Sequence, residues 1–363
     1  MRVVAHNIVS SLLSLALLVA LYRISSRQTS SGGVGPLAAF GALIVLVVIG
    51  LISAFGNGGD VFGMAQLLAW TTFLHVPLFL VCAGVIQMRQ WPKLALAHWA
   101  TVIVLGLIVL DASVIEPHWL QVSRLTIHSA RLTESVRVVI LADIQTDQPG
   151  RYEARVLRAA MEQDPDLILF LGDYVQLGRR SGSYEVEIET LRALLDEAHL
   201  QAPLGAYAIT GNVDLPGGWV QAFNGLPVTT MEATTSRDLG PVMLTGLSLW
   251  DSYDQDKRVE RHDAFHIVIG HSPNFSLGSV EADLLIAGHT HGGQVRLPLI
   301  GPLLTLSSVP RSWAAGVTTI APGRTLIVSR GIGMERANAP RLRLLCRPEL
   351  VVIDLVPAGR ESE

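Results

Sequence analysis

Cysteine is nearly missing from this chain of 363 residues: Cys82 lies inside an apolar run and Cys346 is alone in the more polar remainder. No internal disulfide can join two halves of one domain, so cysteine usage says nothing about the compartment. Charge is also scarce, at 16% of residues against 50% hydrophobic. With a mean hydropathy of +0.42 the chain is too apolar on average for one soluble domain of this size. Internal repeats and low-complexity tracts are missing. So is a basic excess: residues 1–115 hold five basic and two acidic side chains, leaving 22 of 27 basic and 29 of 31 acidic, or −7, in the remainder. That balance excludes a nucleic-acid surface.

The apolar excess lies at the front. Four runs, 4–22, 36–55, 64–86 and 94–115, can each cross a bilayer, which takes about 20 helical residues. None carries Lys or Arg in its middle. The first has only Arg2 on its flank, and Leu21-Tyr22-Arg23 is a poor cleavage site for a signal peptide. The reading is therefore a retained membrane anchor over 1–116. A transporter is the rival for such a region, yet the spans contain only Asp111 as an acid, near an end. His6, Asn7, Gln66, His75 and His98 read as helix-packing contacts rather than an ion path. Arg23, Arg27, Arg89 and Lys93 flank one side of the spans and Arg2, Arg124 and Arg131 the other. By the positive-inside rule this excess of one sets the large domain outside the cytoplasmic membrane.

The remainder is expected to be a domain over 117–357 with a polar tail at 358–363. Residues 120–127 alternate like an edge strand. Residues 136–142 form a strand ending on Asp143-Ile144-Gln145-Thr146-Asp147; 151–163 is an amphipathic helix; 167–171 is a continuous apolar strand ending on Gly172-Asp173-Tyr174. This is a β-α-β unit with an aspartate at each strand tip. A helix at 185–199 and a strand at 205–209 then lead to Gly211-Asn212-Val213-Asp214. Residues 228–249 read as short strands of a second sheet and 251–263 as a polar loop. A strand at 265–269 is tipped by Gly270-His271-Ser272-Pro273, and an apolar run at 282–287 precedes Gly288-His289-Thr290-His291-Gly292-Gly293-Gln294. The chain closes with 325–328, Ser329-Arg330-Gly331-Ile332-Gly333, and a strand at 350–356.

Histidines at i and i+2 project on one side of an extended backbone, and the glycines leave room for an ion and its substrate. A lone His-x-His is more often a surface pair, and a lone Asp or Asn after a strand is usually a turn former or helix cap. Five strand ends carrying Asp143 and Gln145, Asp173, Asn212, His271, and His289 with His291 reverse those odds. Loops at one edge of an α/β sheet are where ligands gather.

Together, DxQ, GD, GN, GHSP and GHTHGGQ resemble the calcineurin-like metallophosphoesterases over about 120–356. More narrowly, the chain is similar to the membrane-associated bacterial phosphoesterase branch and to animal transmembrane proteins carrying this domain. The resemblance implies an α/β fold, a two-sheet β-sandwich flanked by helices, here behind about four transmembrane helices. It implies two divalent transition-metal ions (Mn, Fe or Zn, which suit imidazole ligands) and a shared hydroxide that attacks phosphorus in a phosphate-containing small molecule, and the membrane tether adds a lipid-linked or envelope substrate as an expectation. Carried over by motif, Asp143 and His291 hold one ion, Asn212, His271 and His289 the other, and Asp173 bridges them.

Two positions depart from the family pattern. Gln145 replaces a histidine and is expected to be a neutral, weaker oxygen ligand; otherwise it points away, or Asp147 reaches in. Val213 replaces the histidine of GNH[DE], which protonates or stabilises the leaving group. General acid catalysis is worth about 10²–10⁴-fold. The expected substrates are therefore phosphoanhydrides or activated esters, unless Asp214 or another group donates the proton. Arg330 either holds a substrate phosphate or pairs with an acid. The rival reading is a non-catalytic metal-binding or signalling module.

Overall fold

The computed structural model describes residues 2–27, 34–56, 60–178 and 181–358; of the tail expected at 358–363, only Ala358 is among them. The chain divides into two compact units, one from Met1 to Asp111 with Asn338–Pro340, the other from Ala112 to Ala337 and from Arg341 onward.

In the first unit, Val3–Ser26, Gly35–Gly56, Val61–Gln87 and Pro92–His118 are helices long and apolar enough to cross a membrane, the last running on into the second unit. Their packing is inverted relative to a soluble bundle. Leu12, Leu37, Ile52, Leu96 and Ile103 point outward and are exposed, while small residues such as Ala39, Ala42 and Ala83 lie between helices. Polar contacts also face inward: His6 bridges Ser53 (2.9 Å) and Thr71 (3.1 Å), and His75 meets Asn7 (3.0 Å). In hydrocarbon, such small-residue and hydrogen-bonded contacts replace the hydrophobic drive between helices.

Among the described residues of the second unit, two large sheets are built from β1 Gln121–Ser129, β2 Val136–Leu141, β3 Leu167–Phe170, β4 Ala206–Ile209, β5 Val228–Met231, β6 Thr235–Asp238, β7 Val242–Gly246, β8 Phe265–Gly270, β9 Leu284–Ala287, β10 Gly316–Ala321, β11 Arg324–Val328 and β12 Glu349–Pro357. Both sheets are six-stranded, ordered β1-β12-β2-β3-β4-β5 and β10-β11-β9-β8-β7-β6. Strands β2 to β5 run parallel to their neighbours in that series, as do β7, β8, β9 and β11 in theirs. Alternation sorts each strand's side chains between two layers. Val138, Ile140 and Leu169 meet Ile267, Ile269 and Ile286 between the sheets. Val139, Leu141, Ile168 and Phe170 face outward, under the helices Arg151–Met161 and Tyr184–Glu197. Strands covered on both faces are apolar throughout, which is why 167–171 reads as an unbroken run. Each fully buried aliphatic side chain contributes about 1.5–3 kcal/mol, so the strand ends are firmly held.

One sheet assignment differs from the sequence reading. The strand at the start of 228–249, β5, pairs with β4 at the edge of the first sheet, and only β6 and β7 join the second. Its alternation is the same in either place, and hydrogen-bond partners decide.

Candidate metal centre

The parallel strands deliver their C-terminal ends to one edge. Asp143 and Gln145 follow β2, Asp173 follows β3, Asn212 follows β4, His271 follows β8, and His289 and His291 follow β9. Two groups of potential ligands result, Asp143–Asp173–His291 and Asp173–His271–His289, each with its ligand atoms within 4.8 Å of one another. Asp173 belongs to both.

The loops pay for this convergence with strain. Asp143 (φ 49°), Gln145 (30°), Asp173 (55°), His289 (68°) and His291 (47°) all hold left-handed backbone conformations. Each costs about 1–3 kcal/mol and persists only where the surroundings over-determine it. The strand ends supply that bracing, together with glycines at close approaches. A Cβ on Gly211 would lie 2.1 Å from Asp173 Oδ1.

Hydrogen bonds then fix the donor atoms. The His289 backbone N–H donates to both Asp143 oxygens (3.0 Å each), and the Val213 N–H to Asp173 Oδ1 (3.0 Å). Asp214 accepts from the N–H groups of Asp173 (2.9 Å), Tyr174 (2.8 Å) and Gly211 (2.7 Å). With both oxygens so engaged, Asp214 ties two ligand loops together and is not a free proton donor.

Several buried atoms lack only a cation. His271 donates from Nδ1 to the Leu171 carbonyl (2.9 Å), which leaves a bare Nε2 2.9 Å from Asn212 Oδ1 and 3.4 Å from Asp173 Oδ2. Burial, then His289, pushes its pKa down to about 3, so the Nε2 carries no proton of its own at neutral pH. Burial, then Arg343, likewise holds His291 well below the usual range, and its buried Nε2 has no hydrogen-bond partner. Gln145 gives its Nε2–H groups to Gln176 (3.0 Å) and Glu335 (3.1 Å), while its Oε1 is buried without a partner. Burial raises both aspartates, Asp143 to about 7 and Asp173 well above its ordinary value, the latter also through Asp214 and Asp143. Lone pairs facing buried carboxyl groups whose charge burial disfavours are what a divalent cation satisfies, so the donor set fits metal.

Two sequence candidates are turned elsewhere. Arg330 takes the acid-pairing alternative: its guanidinium and backbone N–H both bond Glu349 (3.0 Å each). Asp147 is held by Arg336 (3.1 Å) and Arg341, so it does not reach in.

Two residues at the centre escaped sequence reading. Running into 251–263, read as a loop, the short helix Leu249–Tyr253 brings the Tyr253 hydroxyl to Asn212 Oδ1 (3.0 Å) and to the His289 ring nitrogens (3.2 and 3.3 Å). Ser248, whose side chain accepts from the Asp251 N–H, was the available cap signal. Arg343 is fully buried and donates to the carbonyls of Gly333, Cys346, Arg330 and Gly331, 3.5 Å from His291 Nδ1. Nothing in its local sequence marks that role.

A paired cluster of carboxylate, amide and imidazole donors at the edge of a two-sheet α/β sandwich defines a metal-dependent phosphoesterase. Residues 136–293 match the calcineurin-like phosphoesterase family and carry a domain of that superfamily. The uncharacterized metallophosphoesterase YkuE of Bacillus subtilis is 28% identical over 265 residues, 67% of this chain and 88% of its own length. The phosphodiesterase YaeI of Escherichia coli is 28% identical over 237 residues, 61% of this chain and 82% of its own. A dimetal phosphatase from Danio rerio aligns at 13% identity over 55% of this chain and 88% of its own with a TM-score of 0.35, too low to argue from.

Proposed function

We propose that the chain is a membrane-anchored phosphohydrolase: helices within 1–116 form the anchor, and 117–357 is the catalytic domain. One divalent ion would lie among Asp143, Gln145, Asp173 and His291, and a second among Asp173, Asn212, His271 and His289. The observation that carries this reading is the bare His271 Nε2 facing an Asp173 oxygen at 3.4 Å, in a cluster whose two halves share that aspartate. When bound, such ions supply Lewis-acid polarisation of phosphoryl oxygens and a nucleophile at neutral pH.

The chain's own residues set the rest. Asp214 and Arg343 hold the ligand loops in register through backbone contacts. Val213 offers no proton where the family places a histidine, and Asp214 is occupied. This supports turnover of phosphoanhydrides and activated esters over alkyl diesters. Four helices apolar enough to cross a membrane support a lipid-linked or envelope substrate, because tethering raises the local concentration of either. The domain lies on the outer side of the cytoplasmic membrane.

Purified protein loaded with Mn, Fe or Zn should release phosphate from pyrophosphate-containing lipids and hydrolyse aryl phosphates. Failure with every metal would favour the non-catalytic module. An active C-terminal alkaline phosphatase fusion is expected from the orientation; a bright green fluorescent fusion at that end would reverse it.

A further inference from the structure

Beside the cluster, the segment from Gln294 to Arg311 carries an unusual load of exposed leucine. A small antiparallel hairpin, Arg296–Leu297 with Gly301–Pro302, puts Leu299 fully in solvent and leaves Ile300 62% exposed. The run that follows leaves Leu303 51% and Leu306 46% exposed. Leu303, Leu304 and Leu306 line a recess of about 510 Å³, completed by Tyr253, Ser308 and Arg311 among others. That volume lies within the range of small-molecule sites, about 300–1,000 Å³.

The recess is built rather than incidental. Its floor is tied down by Asn274 Oδ1, which accepts from the Ser307 hydroxyl (2.6 Å) and the Ser308 N–H (2.9 Å). Its start is held by the Leu303 N–H on the Val295 carbonyl (3.1 Å). It also opens onto the ligand cluster at two points. Tyr253 lines it and touches Asn212 and His289, and the Leu306 carbonyl lies 3.3 Å from His289 Nε2. Leu306 keeps a left-handed backbone (φ 48°) to make that approach, a strain of the kind retained where function needs it. Contiguous exposed apolar surface continuous with a polar site marks a ligand-binding groove.

We infer that this recess takes the hydrocarbon chain of an amphiphilic substrate whose phosphate sits at the cluster. The inference rests on the phosphohydrolase reading for the position of the phosphate. A bilayer surface or a second copy of the chain would meet the exposed hairpin tip, whereas a single acyl or prenyl chain fits a recess whose lining residues Tyr253 and Leu306 touch the His289 ring. Arg311, which pairs with no carboxylate among the described residues, gives the recess a cationic rim suited to an anionic head group.

The test uses the full chain in lipid nanodiscs with Mn(II). Binding of n-alkylphosphonates from methyl to hexyl is measured by calorimetry against empty discs, and p-nitrophenol release from bis(p-nitrophenyl) phosphate is followed in the same sample. Kd should fall about three- to fourfold per added methylene until the recess is full, the ratio that burying one CH₂ produces. Leu303→Asn and Leu304→Asn should each flatten that series, while Val186→Ser, on an exposed face of the helix Tyr184–Glu197, should leave it steep. A flat series in the natural protein overturns the subsite, as does a steep one that both leucine variants preserve, which would assign the chain to the bilayer or another surface. The p-nitrophenol signal reports separately on the phosphohydrolase reading, because binding is read whether or not turnover occurs.

Discussion

The two ligand groups share Asp173 but differ in their surroundings. Around Asp143, Gln145 and His291 every residue is buried, and each donor is held from behind by the His289 N–H, by Gln176 and Glu335, or beside Arg343. Around Asn212 and His289 the site opens: Asn212 is exposed, His289 is half-buried, and their neighbours are Tyr253 and the leucine-lined recess. Apart from the shared Asp173, only His271 in that group is buried. The difference assigns the groups separate duties. On the proposed two-metal reading the enclosed group would hold its ion as a fixed charge in the sandwich, and the open group would be where substrate meets metal and where specificity can vary.

The largest effect should come from the residue common to both. Asp173→Asn should remove turnover altogether and lower bound metal at both groups, with circular dichroism unchanged, because β3 stays packed without the carboxylate. By contrast, His289→Ala should cost metal at the open group alone; metal analysis finding both ions lost would dissolve the distinction. Val213→His sharpens the comparison next. For aryl diesters the natural protein should slow steeply as leaving-group pKa rises, and the histidine should speed poor leaving groups by up to about 10²–10⁴-fold while sparing good ones. A shallow dependence in the natural protein would instead assign the proton to Tyr253, the hydroxyl at the open side.

Asp214→Asn should cost about 10–100-fold in metal affinity, the usual consequence of losing an orienting partner behind a ligand. An amide can accept from only some of the three N–H groups that the carboxylate now serves. Equilibrium metal titration checks it, and an unchanged affinity would mean the loops hold themselves.

The smallest expected effect is in pH. In the metal-free protein burial raises Asp143 from 3.8 to about 7, so below that pH a proton occupies the carboxyl that a cation needs. Affinity of the enclosed group should rise with pH by at least about tenfold per unit up to pH about 7, and the raised Asp173, which must also lose a proton, adds to that slope. The same shift means that the folded chain keeps a proton the unfolded chain has released across that window, so metal-free stability falls as pH rises through it. His271, lowered to about 3, works in the opposite sense: up to its ordinary value of 6.5 the unfolded chain is the more protonated, and stability rises with pH. Metal titrations between pH 5.5 and 8 that show no slope would remove Asp143 from the ligand set.

Much of this site was legible because strand ends are local features. An apolar run stopping at Gly-Asp, Gly-Asn or Gly-His-Thr-His places a donor at a tip by the strand's own geometry, whichever sheet it joins. The helix carrying Tyr253 was missed because five residues leave almost no periodic signal, and its one cap, Ser248, is a residue equally at home in a turn. The sheet of β5 was misread because alternation specifies a face and not a neighbour.

Composition and order along the chain thus determined the apolar helices, the β-α-β core and the strand-end places of seven residues able to act as donors, since each follows from hydrophobic periodicity and residue chemistry within a few positions. Only the tertiary structure decided which way the versatile residues turned. Arg330 went to Glu349, Asp147 to Arg336 and Arg341, Asp214 to three backbone amides, and Gln145 kept its carbonyl oxygen free. A long polar side chain has several partners within reach, and burial selects among them by the cost of leaving any one unpaired.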